Sequence, residues 1–201
     1  PRWSPNGQNI AFWGLQPRED NVVFVMNADG GTPKRLNGGR WPCWSRDGRS
    51  IYFTWIRSGA SEIWRIPATG GEAVRITWDG GDVAQESPDG RFVYYEKGWP
   101  SHCSVWQVPV GGGEEVKVLD SAHCYGGWAV VKQGIYFFTP ADPQGHSEIR
   151  LYKVATGKTI KLLTIERNVG YRIAVSPDER TILYGQFDQA GSDLMLVENF
   201  H

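Results

Sequence analysis

The sequence predicts an all-β chain, a β-propeller of four-stranded antiparallel blades with five repeat units, the last incomplete. The first observation is a recurring phrase. It reads WSPNG at Trp3–Gly7, WSRDG at Trp44–Gly48, ESPDG at Glu86–Gly90 and VSPDE at Val175–Glu179. The second is its spacing. Ser4, Ser45, Ser87 and Ser176 stand 41, 42 and 89 residues apart, so a worn copy falls near residue 131, in VVKQGIYFF. A period in the low forties made of short strands is that of a propeller blade. The third is composition: Trp 10, Tyr 8 and Phe 8 beside Gly 25 and Pro 12. Aromatic strands cut by turn residues fit that profile, while Gly, Pro and β-branched residues interrupt every helical window.

Five units make up the chain. The first, about 1–39, has strands at Asn9–Trp13 and Val22–Met26, a turn at Ala28–Gly31 and an outer strand TPKRLN. The second, about 40–81, is the clearest. RWPCWS is its first strand, and RDGR is a tight turn in which Gly48 supplies a positive φ. SIYFTWI, EIWRIP and EAVRIT complete a meander, with the turn Ala68–Gly71 before the outermost strand. The third, about 82–122, carries RFVYYE, SVWQVP, a turn at Gly111–Gly113 and EVKVLD. The fourth, about 123–166, has Val131, Lys132 and Gln133 where Ser, Pro and Asp are expected, yet Ile135–Phe138 and Leu151–Val154 still predict a blade. The fifth, about 167–201, has TILYGQ and DLMLVE and no fourth strand.

Residues 1–201 are thus read as a single propeller domain or a fragment of one. The unfinished last unit admits two readings. The chain is the C-terminal part of a longer one that supplies the missing strand, or its open blade edges close the ring or pair with another copy.

The net charge of -1, from Lys+Arg 21 against Asp+Glu 22, lacks the basic excess of a nucleic-acid surface. No run of apolar residues is long enough to span a bilayer, so no membrane insertion is expected in this segment. Three cysteines are too few for a disulfide scaffold and odd in number.

Two His-Cys pairs are the most suggestive polar cluster. His102 and Cys103 fall in the loop between the second and third strands of unit three. His123 and Cys124 fall in the crossing to unit four. Blade topology places both loops on one face. Two His and two Cys match a zinc set by type, and Cys103 and Cys124 could instead form a disulfide. Neighbouring side chains of an extended segment point oppositely, which makes adjacent ligands awkward. We therefore expect ordinary loop residues and buried thiols, no metal and no cofactor. Cys43 is read as a small core or channel residue.

Catalysis has little support. There is no GxSxG elbow, and the Gly-rich stretches enter strands instead of helices, so they are not phosphate loops. Asp29, Asp47, Asp89 and Asp178 are read as turn formers. Glu114, Glu115, Asp79 and Asp82 are read as solvated charges. The chain is expected not to be an enzyme. The candidate recognition residues are those of the crossings and first strands: Arg40, Trp41, Asp82, Gln85, Tyr125, Trp128, Tyr171 and Arg172. Aromatics with a few charges at a channel mouth suit a protein or small ligand. Trp3 and Trp44 hold one repeat position and are read as packing between blades.

The phrases WSPNGQNIAF, WSRDGRSIYF and ESPDGRFVYY, with turns such as ADGG and strands such as VRIT, resemble the TolB-like or PD40 repeat family. The resemblance covers essentially the whole chain. It implies a propeller whose first strands line a central channel, of the kind found in the envelope protein TolB, which binds protein partners. Similar repeats gate prolyl-oligopeptidase-like peptidases and form sensor-like tails of bacterial regulators, whose C-terminal ends GSDLMLVENF resembles. The function implied is a noncatalytic module recognising a protein or ligand. The alternatives are the gate of a peptidase and a metal-dependent lyase or hydrolase. An extracytoplasmic location is implied by the TolB resemblance, against which thiols read as free pull the other way.

Overall fold

The repeated phrase is a hydrogen-bonded turn, and its residue types follow from that. In three of its copies the serine hydroxyl donates to the acidic residue two positions on: Ser45 to Asp47 at 2.7 Å, Ser87 to Asp89 at 2.6 Å and Ser176 to Asp178 at 2.5 Å. Asn6 takes the same part for Ser4 at 2.7 Å. The serine oxygen then receives the backbone N–H five residues on, from Asn9, Ser50, Phe92 and Thr181. Asp47, Asp89 and Asp178 also accept a following N–H, and their carboxyls are held below the ordinary value, chiefly by the serine bond. The last motif residue is left-handed: Gly7, Gly48 and Gly90 sit at φ near 70°, while Glu179 adopts 56° without being glycine.

Glu179 has a use there. Where other copies have proline after the serine position, units two and four have Arg46 and Lys132, whose N–H groups need acceptors. Glu86 Oε1 receives Arg46 N–H at 3.2 Å and Glu179 Oε1 receives Lys132 N–H at 3.1 Å. Each departure from the motif in one unit is thus met by a carboxylate from the next.

The computed structural model describes residues 1–16, 19–57, 59–98, 102–188 and 191–198. Ser101 and the closing residues 199–201 lie outside them. All regular elements described are strands. β1 (Arg2–Trp3), β2 (Asn9–Gln16), β3 (Glu19–Asn27) and β4 (Gly30–Gly38) form the first sheet in that order. β5 (Arg40–Trp44), β6 (Ser50–Ile56), β7 (Ser61–Pro67) and β8 (Val74–Arg75) form the second. β9 (Asp82–Glu86), β10 (Phe92–Lys97), β11 (Cys103–Pro109) and β12 (Val116–Ala122) form the third. β13 (Trp128–Val130), β14 (Ile135–Phe138), β15 (Ser147–Lys153) and β16 (Lys158–Ile165) form the fourth. β17 (Val169–Val175), β18 (Thr181–Asp188) and β19 (Gly191–Glu198) form a three-stranded fifth. Each is an antiparallel meander, the blade that the period predicts.

The fourth unit does form a blade despite its lost motif, through a tight reversal in which Val131 and Gly134 exchange backbone hydrogen bonds. The second unit's outer strand is shorter than EAVRIT suggests. Its ladder ends at Arg75, whose side chain pairs with buried Glu62 and donates to the carbonyls of Thr77 and Trp78.

The chain divides into two compact units. One is Pro1–Lys97 with Trp106–Val116, and the other is Gly98–Val105 with Lys117–His201. In the first, blade faces meet through Ala11, Val23, Trp44, Ile51, Phe53 and Ile66, and again through Tyr52, Ile63, Ala84, Val93, Tyr95 and Val108. In the second, Tyr136, Phe138, Ile149, Leu151, Ile173 and Tyr184 do so. Burying each of these larger side chains contributes about 1.5–3 kcal/mol. Trp44 takes part in this packing and donates to Arg2 O at 2.9 Å. Trp3 does not: it is 63% exposed.

Candidate functional site

In the first unit the crossings place charge beside strained backbone. Trp41 and Val83, each at the start of a first strand, are left-handed at φ 55° and 46°. The ladders β5–β6 and β9–β10 shift register there, as a bulge would make them. A left-handed non-glycine residue costs of order 1–3 kcal/mol and persists only where its surroundings hold it. Here the holders are polar. Arg40 Nη2 pairs with Asp82 Oδ2 at 2.8 Å and lies 3.4 Å from Ser61 Oγ. Asp82 Oδ1 accepts the buried Thr54 hydroxyl at 2.8 Å, and Val83 N–H reaches both groups. Arg40 and Asp82 are therefore tied to each other and are not loose rim charges. Trp41 meets Trp13 edge-on at 5.2 Å.

Gln85 lies on a different feature, a cleft of about 230 Å³ lined also by Arg2, Trp3, Cys43, Arg46 and Glu86. Cys43 is half-buried, with its thiol pushed up mainly by burial. Burial first, and then the neighbouring Glu86 carboxylate, push the Tyr52 phenol far up.

Glu115, read from sequence as a solvated charge, is instead the hub of a network. It accepts from Lys97 Nζ at 2.7 Å, from Tyr95 Oη at 2.7 Å and from Trp78 N–H at 2.8 Å. Burial works against its charge, yet these bonds hold its carboxyl below the usual value. Lys97 also lies 4.3 Å over the Trp106 ring.

In the second unit the His-Cys loops resolve into a covalent link. Cys103 and Cys124 form a disulfide with an S–S distance of 2.07 Å. This corrects the reading of ordinary buried thiols and leaves no thiolates for a zinc set. No group of three or more metal-ligating side chains occurs among the described residues. His102 is exposed, and His123 Nδ1 lies 3.0 Å from Cys124 O. Both sulfurs lie against the carbonyl of Gly98.

Tyr125 follows Cys124 directly and is left-handed at φ 63°. Its ring meets Tyr171 edge-on at 5.3 Å, and Tyr171 meets Phe187 at 6.3 Å. Tyr171 is 59% exposed and Phe187 44%. Arg172, beside Tyr171, is half-buried. This aromatic run is the most open apolar feature built from the predicted residues. Trp128, predicted to share it, is 0% exposed and belongs to the packing. Phe187 was missed. Its signal was the strand TILYGQFD, which carries an aromatic past Gly185.

The TolB beta propeller domain family, PD40, matches residues 1–124. The uncharacterized protein Atu1656 of Agrobacterium fabrum is 35% identical over 79 residues, which cover 37% of this chain and 27% of that protein. Among solved structures, TolB from Acinetobacter baumannii superposes with a TM-score of 0.80 at 16% identity, over 98% of this chain and 50% of that one. Prolyl oligopeptidase B from Galerina marginata gives 0.68 at 13% identity, over 98% of this chain and 33% of that one. At such identities these structures attest the fold, and the chain spans half the length of that TolB and about a quarter of Atu1656. The blades, the turn chemistry and the family match agree: this chain belongs to the TolB β-propeller family.

Proposed function

We propose that this chain is a noncatalytic recognition module that binds a protein through the Tyr125–Tyr171–Phe187 surface. The observation that carries the reading is the run of edge-to-face aromatic rings with Tyr171 more than half exposed. Rigid aromatics that stay open to solvent supply the anchors of protein interfaces. The disulfide supports residence in an oxidising, extracytoplasmic compartment, where such bonds persist.

The test is a photo-crosslinking side chain placed at Tyr171 in the producing cell, with the exposed Leu15 as control position. A discrete protein adduct at Tyr171, absent at Leu15 and weakened by Tyr125→Ala, is expected. No adduct, or equal adducts at both positions, would overturn the reading.

A second reading is the substrate gate of a peptidase, favoured by the likeness to prolyl oligopeptidase B. It requires a hydrolase domain in the same reading frame, and sequencing that frame decides it.

A further inference from the structure

The disulfide occupies a repeat position that the second blade fills differently, and this comparison assigns it a role. β7 begins with Ser61 and β11 with Cys103, the same place in SEIWRIP and CSVWQVP. Asp82 and Cys124 both sit immediately before a left-handed non-glycine residue at a crossing, Val83 and Tyr125. In the second blade, Arg40 spans the two positions, pairing with Asp82 and approaching Ser61. In the third, the bond between Cys103 and Cys124 spans them.

We propose that the Cys103–Cys124 disulfide is the positioning element of the aromatic surface: it holds Tyr125 in its left-handed conformation, so the surface is assembled only in the oxidised chain. The proposal rests on the reading of Tyr125, Tyr171 and Phe187 as the recognition surface. Three further observations support it. His123 N–H donates to Phe138 O at 2.9 Å and Phe138 N–H to Gly127 O at 2.8 Å, which clamps the loop between them. A Cβ on Gly127 would come within 2.7 Å of His123 O, so the loop closes tightly. Tyr125 has no glycine's freedom to relax inside that closure, and its conformation must be imposed. A dithiol reductant would undo the constraint by a balanced exchange. The S–S bond breaks, two thiols form at Cys103 and Cys124, and the reductant's two thiols close to its own disulfide.

The experiment is amide hydrogen exchange on the whole chain, with and without dithiothreitol, using no partner. On reduction, His123 and Phe138 N–H are expected to exchange about tenfold faster, the scale of the strain released. The Val130–Ile135 pairing and the fifth sheet should keep their protection. Cys103→Ser/Cys124→Ser should match the reduced protein. In Tyr125→Gly, which accepts the left-handed conformation freely, reduction should change those two amides about threefold or less. Unchanged exchange at His123 and Phe138 on reduction would overturn the proposal. So would a uniform rise across the second unit, which would make the bond a general staple. Because no partner enters this readout, failure of Tyr171 to crosslink would count against the recognition reading alone.

Discussion

The second and third blades solve the same problem with different chemistry. Each must bring the start of its third strand to the crossing that follows its outer strand, beside a left-handed residue. The second blade uses Ser61, Arg40 and Asp82, with Thr54 beneath them. The third uses one covalent bond. A polar bridge made of partly exposed side chains is weakened by salt and by water. A disulfide is insensitive to both and answers to redox potential instead. The residues of the proposed recognition surface, Tyr125 and its neighbours, lie on the covalent side. The chain has placed its firmest constraint next to the exposed rings of Tyr171 and Phe187.

The comparison can be broken most strongly at the disulfide. Cys103→Ser/Cys124→Ser should loosen the loop from His123 to Phe138 by about 1–3 kcal/mol, the scale of the strain held at Tyr125, and leave the fifth sheet as stable as before. Amide exchange followed through a denaturant titration measures this, and a loss shared equally by the fifth sheet would make the bond a general staple.

Asp82→Ala should come next, at about 1–3 kcal/mol. The buried Thr54 hydroxyl loses its acceptor, while the Arg40 pair, about a quarter exposed on each side, adds little. The same denaturant titration reads it. The loss should shrink only slightly at high salt, and a loss that vanished with salt would place the energy in the ion pair instead.

The smallest effect separates the turns. Asp89 is held down to about 2 by the Ser87 hydroxyl and then by Arg91. A folded value below the unfolded one means that its contribution is complete above about pH 4 and is lost as pH falls toward 2. The first turn has Asn6 in that place and carries no such dependence. Asp89→Asn should therefore flatten the acid limb of a thermal-unfolding series between those pH values. An unchanged limb would assign it to other carboxylates.

Much of this fold was legible because its turns are local. Ser87 and Asp89 find each other two residues apart, so the phrase alone specifies the bonds. The compensation between Arg46 and Glu86, or Lys132 and Glu179, was not legible, since it joins residues of successive units. The left-handed Trp41, Val83 and Tyr125 gave no glycine to announce them. At the candidate site, the structure brings the rings of Tyr125 and Tyr171 together, as residues of a crossing and of a first strand. Trp128 was misplaced because, three residues beyond Tyr125, the chain has already turned into the core. The disulfide was legible only as one alternative, because its loops meet through the blade's topology and not through a local motif. The same sequence distance would suit two unpaired thiols.

In the third blade a covalent bond stands where the second blade has a polar bridge. Thiol titration tests it most directly, on chain purified without reductant and unfolded in guanidinium. The account predicts a single reactive thiol, that of Cys43, with Cys103 and Cys124 recovered in one cross-linked peptide pair. Titration of all three cysteines would contradict it.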